Sequence, residues 1–307
     1  MSLRTTGLGV TSLAFATLFA GGALAQDSVK IGLILPMTGP QASTGKQIDA
    51  GVKLYMQQHG ATVAGKKIEV ILKDDGAVPD NTKRLAQELI VNDKVNVIAG
   101  FGVTPAAMAA APLATQSKSV ELVMAAGTSA ITEASPYITR TSFTLAQSTV
   151  PMAQWAAKNG IKKVVTMVSD YAPGIDAENS FKDAFTKAGG EVLQTVRFPL
   201  ANPDFSPFLQ RAADAKPDAI FVFVPSGQGG AFVKQFVERG LDKAGVKLIG
   251  PGDVTDDDLL NAMGPGHRHR DRASLFRGAF LRDEQSVRRG LQEGRRLPAE
   301  LHGGRRL

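Results

Sequence analysis

The sequence predicts an α/β protein with two doubly wound parallel-sheet lobes and a ligand cleft between them. Short, nearly continuous apolar strands alternate with helices along residues 29–249, a pattern typical of parallel sheets that are covered on both faces. The alternation breaks off once, near residues 143–149, and then restarts. We therefore expect a first lobe at residues 26–145 and a second, similar lobe at residues 146–264.

The individual elements follow from apolar periodicity and from helix start signals. Strands are predicted at 29–35, 67–73, 95–99, 120–124, 137–141, 163–168, 192–198, 219–224 and 246–249. Helices are predicted at 44–59, 80–92, 147–158, 174–188, 207–215 and 229–239. A further helix is expected after residue 103, with Thr104 as its cap and Pro105 in the first position, where the missing N–H costs nothing.

The first 25 residues have the pattern of a cleavable export signal. Arg4 gives a basic start, and residues 8–20 form an apolar run that is too short to span a bilayer comfortably. The small-x-small pattern at residues 23–25 predicts cleavage after Ala25. An N-terminal membrane anchor is the alternative, but a Gly-Gly pair interrupts the segment. The chain has no cysteine, which excludes a lipid-modified N-terminus and disulfides.

Ligands of open parallel sheets bind beyond the carboxyl ends of the strands. The helix start after Thr104 offers free backbone N–H groups and the positive end of a dipole, which suits a carboxylate. Threonine hydroxyls and aromatic rings in these loops would add donors and flat apolar walls. The candidate ligand-binding residues are Phe101, Val103, Thr104, Ala126, Thr128, Phe143, Tyr171, Pro225 and Asp253. In the alternative interpretation, the threonines only cap helices and the aromatic residues only fill the core.

The sequence contains no recognisable catalytic constellation. Residues 26–264 hold a single histidine, His59, and no G-x-S-x-G motif. Gly100-Phe101-Gly102 follows a strand, but Pro105 occupies the position of the third glycine of a dinucleotide fingerprint. The acids at 256–258 lack the spacing of a calcium loop. We therefore predict a binding protein without catalytic residues, metal or cofactor; a secreted α/β hydrolase or dehydrogenase is the alternative.

The positive net charge is confined to the end of the chain. Residues 1–264 contain 18 Lys and 6 Arg against 24 acids, whereas residues 265–307 contain 11 Arg, no Lys and 5 acids. The main part of the chain is therefore neutral. It presents no basic composition that would indicate nucleic-acid binding.

Several ordered motifs resemble the branched-chain amino acid ABC-transporter substrate-binding family, over residues 29–264. These motifs are KIGLILPMTGPQASTGKQIDAGVKL, GFGVTPAAMAAAPLA, SDYAPGIDAENSFKDAF, PDFSPFLQR, PDAIFVFVPSG and LIGPGDVTDDDLLNAMG. The resemblance implies the type I periplasmic-binding fold and a periplasmic monomer that passes a small solute to an ABC permease in the inner membrane. A ligand-sensing module of the same fold is the alternative within this class, although the sequence shows no signalling extension.

The resemblance also implies roles for individual residues. The loop at 101–104 and the stretch at 126–128 would hold the ligand carboxylate, and Tyr171 would close from the second lobe. An acid near Asp253 would meet an amino group. Amino-acid binders usually have Gly-Ser or Ser-Ser where this chain has Val103-Thr104, and their amino-binding acid would align with Gly252. These departures resemble binders of aromatic or aliphatic carboxylates as much as binders of leucine or valine.

The pattern changes after Gly264. Residues 265–307 are rich in arginine, contain three of the four histidines and lack the periodicity of strands or helices. We interpret this segment as out-of-frame translation of a GC-rich gene, which would leave the first lobe incomplete and the segment without structure. A basic interaction tail is the alternative.

Overall fold

The computed structural model describes residues 28–200 and 204–254. The predicted signal peptide and the arginine-rich segment at 265–307 lie outside these residues. Within the two described ranges, no helix combines the length and the apolar character that a membrane crossing requires. The described residues form two α/β units, each built on one sheet.

The first unit contains a six-stranded sheet. In chain order its elements are β1 Ser28–Leu35, α1 Ala42–His59, β2 Thr62–Val63, β3 Lys66–Asp74, α2 Pro79–Val91, β4 Val97–Gly100, α3 Thr104–Ser117, β5 Val120–Val123, a 3-10 helix η1 Ser129–Glu133, and β6 Ile138–Arg140. The strand order is β2-β3-β1-β4-β5-β6, and all neighbours are parallel except β2 and β3. The carboxyl ends of β1, β4 and β5 therefore lie side by side.

Strand β2 was not expected from the sequence. It pairs antiparallel with the start of β3 through a two-residue turn at Ala64 and Gly65, both with positive φ. Such a turn usually carries Asn-Gly or Asp-Gly, so Ala-Gly gives little signal of a hairpin.

The second unit contains a four-stranded parallel sheet. In chain order its elements are α4 Leu145–Lys158, β7 Lys163–Ser169, α5 Ala172–Lys187, β8 Glu191–Phe198, α6 Ser206–Asp214, β9 Ala219–Phe223, α7 Gly229–Glu238, β10 Lys247–Ile249, and a 3-10 helix η2 Gly252–Val254. The strand order is β10-β9-β7-β8. Every residue of β9 is buried because helices cover both faces of the sheet.

The two units meet at the connection between β6 and α4. Helix α4 begins at Leu145, two residues earlier than the sequence predicts, because Thr144 and Gln147 form a reciprocal capping box. The side chain of Leu145 packs in the second unit with α5 and β7. We propose that the boundary between the first lobe and the second lobe lies at this connection.

Candidate functional site

A cavity of about 500 Å³ lies between the lobes at the carboxyl ends of the strands. Its volume falls within the range of roughly 300–1,000 Å³ that small-molecule sites occupy. Six of the nine candidate residues line it: Val103, Thr104, Ala126, Phe143, Tyr171 and Pro225. Loops from both lobes contribute, so the position of the cavity follows from the topology of the two sheets.

The first-lobe side of the cavity is rich in backbone N–H groups without acceptors. Helix α3 begins at Thr104, and the N–H groups of residues 102–104 donate to no acceptor within the described residues. The N–H groups of Ala125 and Gly127, on the neighbouring loop after β5, likewise have no acceptor there. Together with the helix dipole, these donors form a seat for an anion such as a carboxylate.

Gly102 allows the loop before α3 to pack closely. A Cβ atom at this position would lie 2.6 Å from Pro36 Cγ, in the loop after β1. A side chain would therefore separate the loops after β1 and β4. Only glycine permits the backbone of residues 102–104 to face the cavity from this position.

Thr104 lines the cavity, but the prediction that it caps helix α3 is wrong. The N-cap of α3 is Val103, and no side chain caps this helix. The Thr104 hydroxyl instead lies 2.7 Å from the hydroxyl of Thr128, and either group could be the donor. Thr128 is itself buried behind Thr104 and does not line the cavity. The pair ties the start of α3 to the loop after β5, so Thr128 supports the wall.

Phe101 is not a wall residue, contrary to the sequence prediction. Its side chain is fully buried in the first-lobe core with Ala107, Val123 and Ile131. The backbone at Phe101 has a φ of 63°, a left-handed conformation that is uncommon for a phenylalanine and turns the chain after β4. Because this turn directs the ring into the core, the residues that follow Phe101 face the cavity instead.

Aromatic rings form the opposite side of the cavity. Tyr171, the N-cap residue of α5, lies with its ring centroid 6.2 Å from that of Phe223 at the end of β9. Phe143, from the connection between the lobes, also lines the cavity and is half exposed. Phe223 was not among the predicted residues, although the rule that places sites after strand ends points to its position.

The start of helix α1 adds a group of polar residues that the sequence analysis did not single out. Gln41, Thr44 and Gln47 line the cavity next to Ile48. The Gln47 amide donates to the hydroxyl of Ser43 at 2.9 Å. Gln41, Thr44 and Gln47 are spaced three residues apart, which places them on one side at the start of α1. This spacing can be read from the sequence.

None of the described side chains that line the cavity is charged. Gly252, at the start of η2, lines it, and Asp253 follows directly; the side chain of Asp253 lies outside the described residues. The described residues also contain no group of three or more His, Cys, Asp or Glu that could hold a metal ion. The cavity therefore combines an anion seat with neutral polar and aromatic walls.

Contacts between the lobes lie next to the cavity. Gly227 has a φ of 90°, and a Cβ atom added there would approach the Pro40 carbonyl oxygen of the first lobe to 2.4 Å. Across the cleft, the Asp176 carboxylate of α5 accepts hydrogen bonds from Ser129 of the first lobe. The lobes are therefore in direct contact around the cavity.

The sequence profile of a family described as "Periplasmic binding protein" matches residues 28–269. A Leu/Ile/Val-binding protein homolog 6 from Brucella abortus is 44% identical over 299 residues, a match that covers 96% of this chain and 76% of the relative. Because only the remaining 4% lies outside this match, the match continues into the residues after Gly264. The out-of-frame interpretation of that segment stays a prediction.

Two solved structures from Rhodopseudomonas palustris resemble the chain closely. An ABC-transporter solute-binding protein from strain BisB5, in complex with 3,4-dihydroxybenzoic acid, is 75% identical with a TM-score of 0.74. A second R. palustris solute-binding protein, in complex with 4-hydroxybenzoate, is 46% identical with a TM-score of 0.76. Both matches cover 78% of this chain, which spans 66% of the length of each solved chain.

Proposed function

Because the chain belongs to the periplasmic binding protein family, we propose that it is the solute-binding component of an ABC importer and that its solute is an aromatic carboxylate. In this proposal the solute binds between the lobes, and the loaded protein delivers it to a permease in the inner membrane. The chain acts in the periplasm as a binding protein without a reaction of its own.

The observation that carries the proposal is the chemical contrast between the two sides of the cavity. Unpaired N–H groups at the start of α3 and in the loop after β5 favour a carboxylate. Tyr171, Phe223 and Phe143 supply flat walls that suit a ring. No described lining side chain is charged, so among the described residues none is an acid that would pair with the ammonium of an amino acid.

The two R. palustris structures support the same choice of solute, since both hold a benzoate derivative. The name of the Brucella relative points to a branched-chain amino acid instead. We favour the aromatic acid because the structure that holds 3,4-dihydroxybenzoic acid is 75% identical to this chain, whereas the Brucella relative is 44% identical. Gln41, Thr44 and Gln47 offer amide and hydroxyl groups that suit a hydroxyl substituent on the ring.

Calorimetry and thermal unfolding with matched probes test this proposal. We expect 4-hydroxybenzoate and 3,4-dihydroxybenzoate to bind and to raise the melting temperature by mass action. The uncharged analogue 4-hydroxybenzamide should bind at least about tenfold more weakly, because the anion seat loses charge-assisted hydrogen bonds. L-Leucine should give no heat of binding. Tight leucine binding without a response to the aromatic acids would overturn the proposed solute.

A further inference from the structure

The Asp176 carboxylate joins the two lobes through two hydrogen bonds. It lies on α5 of the second lobe, and its Oδ2 accepts from the backbone N–H of Ser129 at 2.9 Å and from the Ser129 hydroxyl at 3.0 Å. Ser129 begins η1 in the first lobe. The two partners therefore belong to different sheets and depend on the lobes being together.

A basic group completes the surroundings of this contact. The guanidinium of Arg140, at the end of β6, donates a hydrogen bond to the Thr128 carbonyl, directly before Ser129. Burial lowers the pKa of Arg140, and the negative charge of Asp176 partly opposes this shift. The first lobe therefore presents two hydrogen-bond donors and a nearby positive charge to the carboxylate.

The contact is connected to the cavity wall on both sides. In the first lobe, Thr128 precedes Ser129 and holds the Thr104 hydroxyl at 2.7 Å, at the start of α3. In the second lobe, Asp176 follows Tyr171 by little more than one turn of α5. A change in the distance between Ser129 and Asp176 therefore accompanies a change in the distance between the two walls.

We propose that Asp176 and Ser129 form a clasp that stabilises the closed cleft and thereby strengthens solute binding. No hydrogen bond or ion pair ties the Asp176 side chain to its own lobe within the described residues. When the lobes separate, this carboxylate returns to water and the clasp energy is lost. Since only the closed form encloses a solute, the apparent dissociation constant rises as the closed population falls. The proposal takes its choice of ligand from the proposed function.

Variants at both ends of the clasp test the pairing. With 4-hydroxybenzoate as the probe, we expect Asp176→Ala to raise the dissociation constant about tenfold, because two charge-assisted hydrogen bonds are lost. Ser129→Ala keeps the backbone donor and should raise it only about threefold. The double variant should be no worse than Asp176→Ala alone, because the partners act as one unit. Additive effects would overturn the pairing.

Asp183→Asn is the matched control, since Asp183 is an exposed acid on the same helix. It should leave the dissociation constant unchanged. Melting temperatures of all variants without ligand show whether each one folds. A uniform loss of affinity in Asp176→Ala and Asp183→Asn would indicate a general charge effect and would contradict the clasp.

A distance measurement tests the clasp independently of the solute. The chain has no cysteine, so Lys83→Cys on α2 and Lys187→Cys on α5 allow one spin label on each lobe. Pulsed electron paramagnetic resonance should give longer distances in Asp176→Ala than in the parent chain, with and without 4-hydroxybenzoate. Equal distance distributions in both conditions would overturn the clasp. A parent chain that ignores the probe would refute the proposed solute, whereas the ligand-free comparison would still decide the clasp.

Discussion

The two lobes differ in how completely their sheets are covered. In the second lobe, apolar clusters fill both faces of the sheet, around Val222 on one face and Phe221 on the other. In the first lobe, helices α2 and α3 cover one face, but the opposite face has only Leu33, Leu35 and Ala99 as fully buried members of its cluster. Among the described elements, α1 alone packs on that face. Parallel sheets are ordinarily covered on both faces, so this face, which we call the α1 face, is half covered within the described residues.

Four exposed apolar residues lie on this side of the first lobe. Leu54 and Tyr55 on α1 are more than half exposed, and Leu72 and Val120 on the sheet are about two-fifths exposed. Strands β1 and β4 of the first lobe contain apolar runs like that of β9 in the second. An apolar strand pattern therefore predicts which faces of a sheet can be buried, whereas the elements packed on the sheet decide which faces are buried.

The largest expected effect compares one substitution in the two lobes. Leu209 on α6 is fully buried, whereas Leu54 on α1 is 52% exposed. Leu209→Ala should lower the free energy of unfolding by about 2–5 kcal/mol, since it leaves a cavity in a covered core. Leu54→Ala should cost less than about 1 kcal/mol. Urea unfolding of both variants measures the difference. A Leu54→Ala cost equal to that of Leu209→Ala would show that the α1 face is buried in the whole chain.

Much of the fold could be predicted because the strands carry strong local signals. The predicted strand at 219–224 and the observed Ala219–Phe223 differ by one residue, since six apolar residues in a row between Asp218 and Pro225 leave little choice. Helix α4 starts two residues before its predicted position, because the reciprocal bonds of Thr144 and Gln147 were overlooked as a capping box. Element boundaries thus depended on side-chain chemistry that the sequence does contain.

The candidate site was harder to predict, because backbone direction decides which residues face a cavity. Phe101 and Thr104 come from the same short loop, yet the positive φ at Phe101 sends its ring into the core while Thr104 lines the cavity. A phenylalanine gives no indication that it will adopt this conformation. Phe223 was missed because the predicted strand extends to residue 224, whereas β9 ends at Phe223, so its ring was assigned to the strand and not to the cavity.

Each lobe contains a contact between two threonine hydroxyls, and substitutions at these two contacts distinguish an effect on solute binding from an effect on stability. Thr104→Val removes the contact with Thr128 beside the cavity, and Thr166→Val removes the contact of Thr166 with Thr195 inside the second-lobe sheet. Both variants should lose about 1–2 kcal/mol of stability. Only Thr104→Val should also weaken 4-hydroxybenzoate binding, by about 1.5–3 kcal/mol, because a hydroxyl at the anion seat is lost. If calorimetry shows that both variants bind 4-hydroxybenzoate as tightly as the parent chain, Thr104 only supports the structure and does not contact the solute.

Each lobe also buries a glutamate, and the two have different surroundings. Glu178 on α5 pairs with Arg197 at 3.0 Å, whereas both carboxylate oxygens of Glu121 on β5 are buried without a hydrogen-bond partner among the described residues. Burial raises the pKa of Glu121 to about 8. The folded chain therefore keeps a proton on Glu121 that the unfolded chain releases near pH 4.5.

This difference predicts a pH dependence of stability that belongs to the first lobe. Below about pH 4.5 the Glu121 carboxyl is protonated in both the folded and the unfolded chain. Between pH 4.5 and 8 only the folded chain keeps this proton, so the free energy of unfolding falls by up to about 1.4 kcal/mol per pH unit as the pH rises. Glu121→Gln should flatten this slope, because a carboxamide does not titrate. The exposed Glu133 provides the control, since Glu133→Gln should leave the slope unchanged. Unfolding free energies measured from pH 5 to 8 that fall equally in the parent and in Glu121→Gln would remove Glu121 as the cause.

The smallest expected effect tests whether the α1 face is open in the whole chain. Val120 on β5 belongs to this face by the alternation of strand side chains and is 40% exposed, whereas Val222 on β9 is fully buried. Threonine has nearly the shape of valine, so Val→Thr adds a hydroxyl without opening a cavity. Val222→Thr should cost about 1–3 kcal/mol, because the new hydroxyl is buried without an assured partner. Val120→Thr should change stability by less than about 0.5 kcal/mol, since water can reach its hydroxyl. If Val120→Thr costs as much as Val222→Thr, residues outside the described ranges must cover the α1 face, and the difference between the lobes would then be confined to residues 28–200 and 204–254.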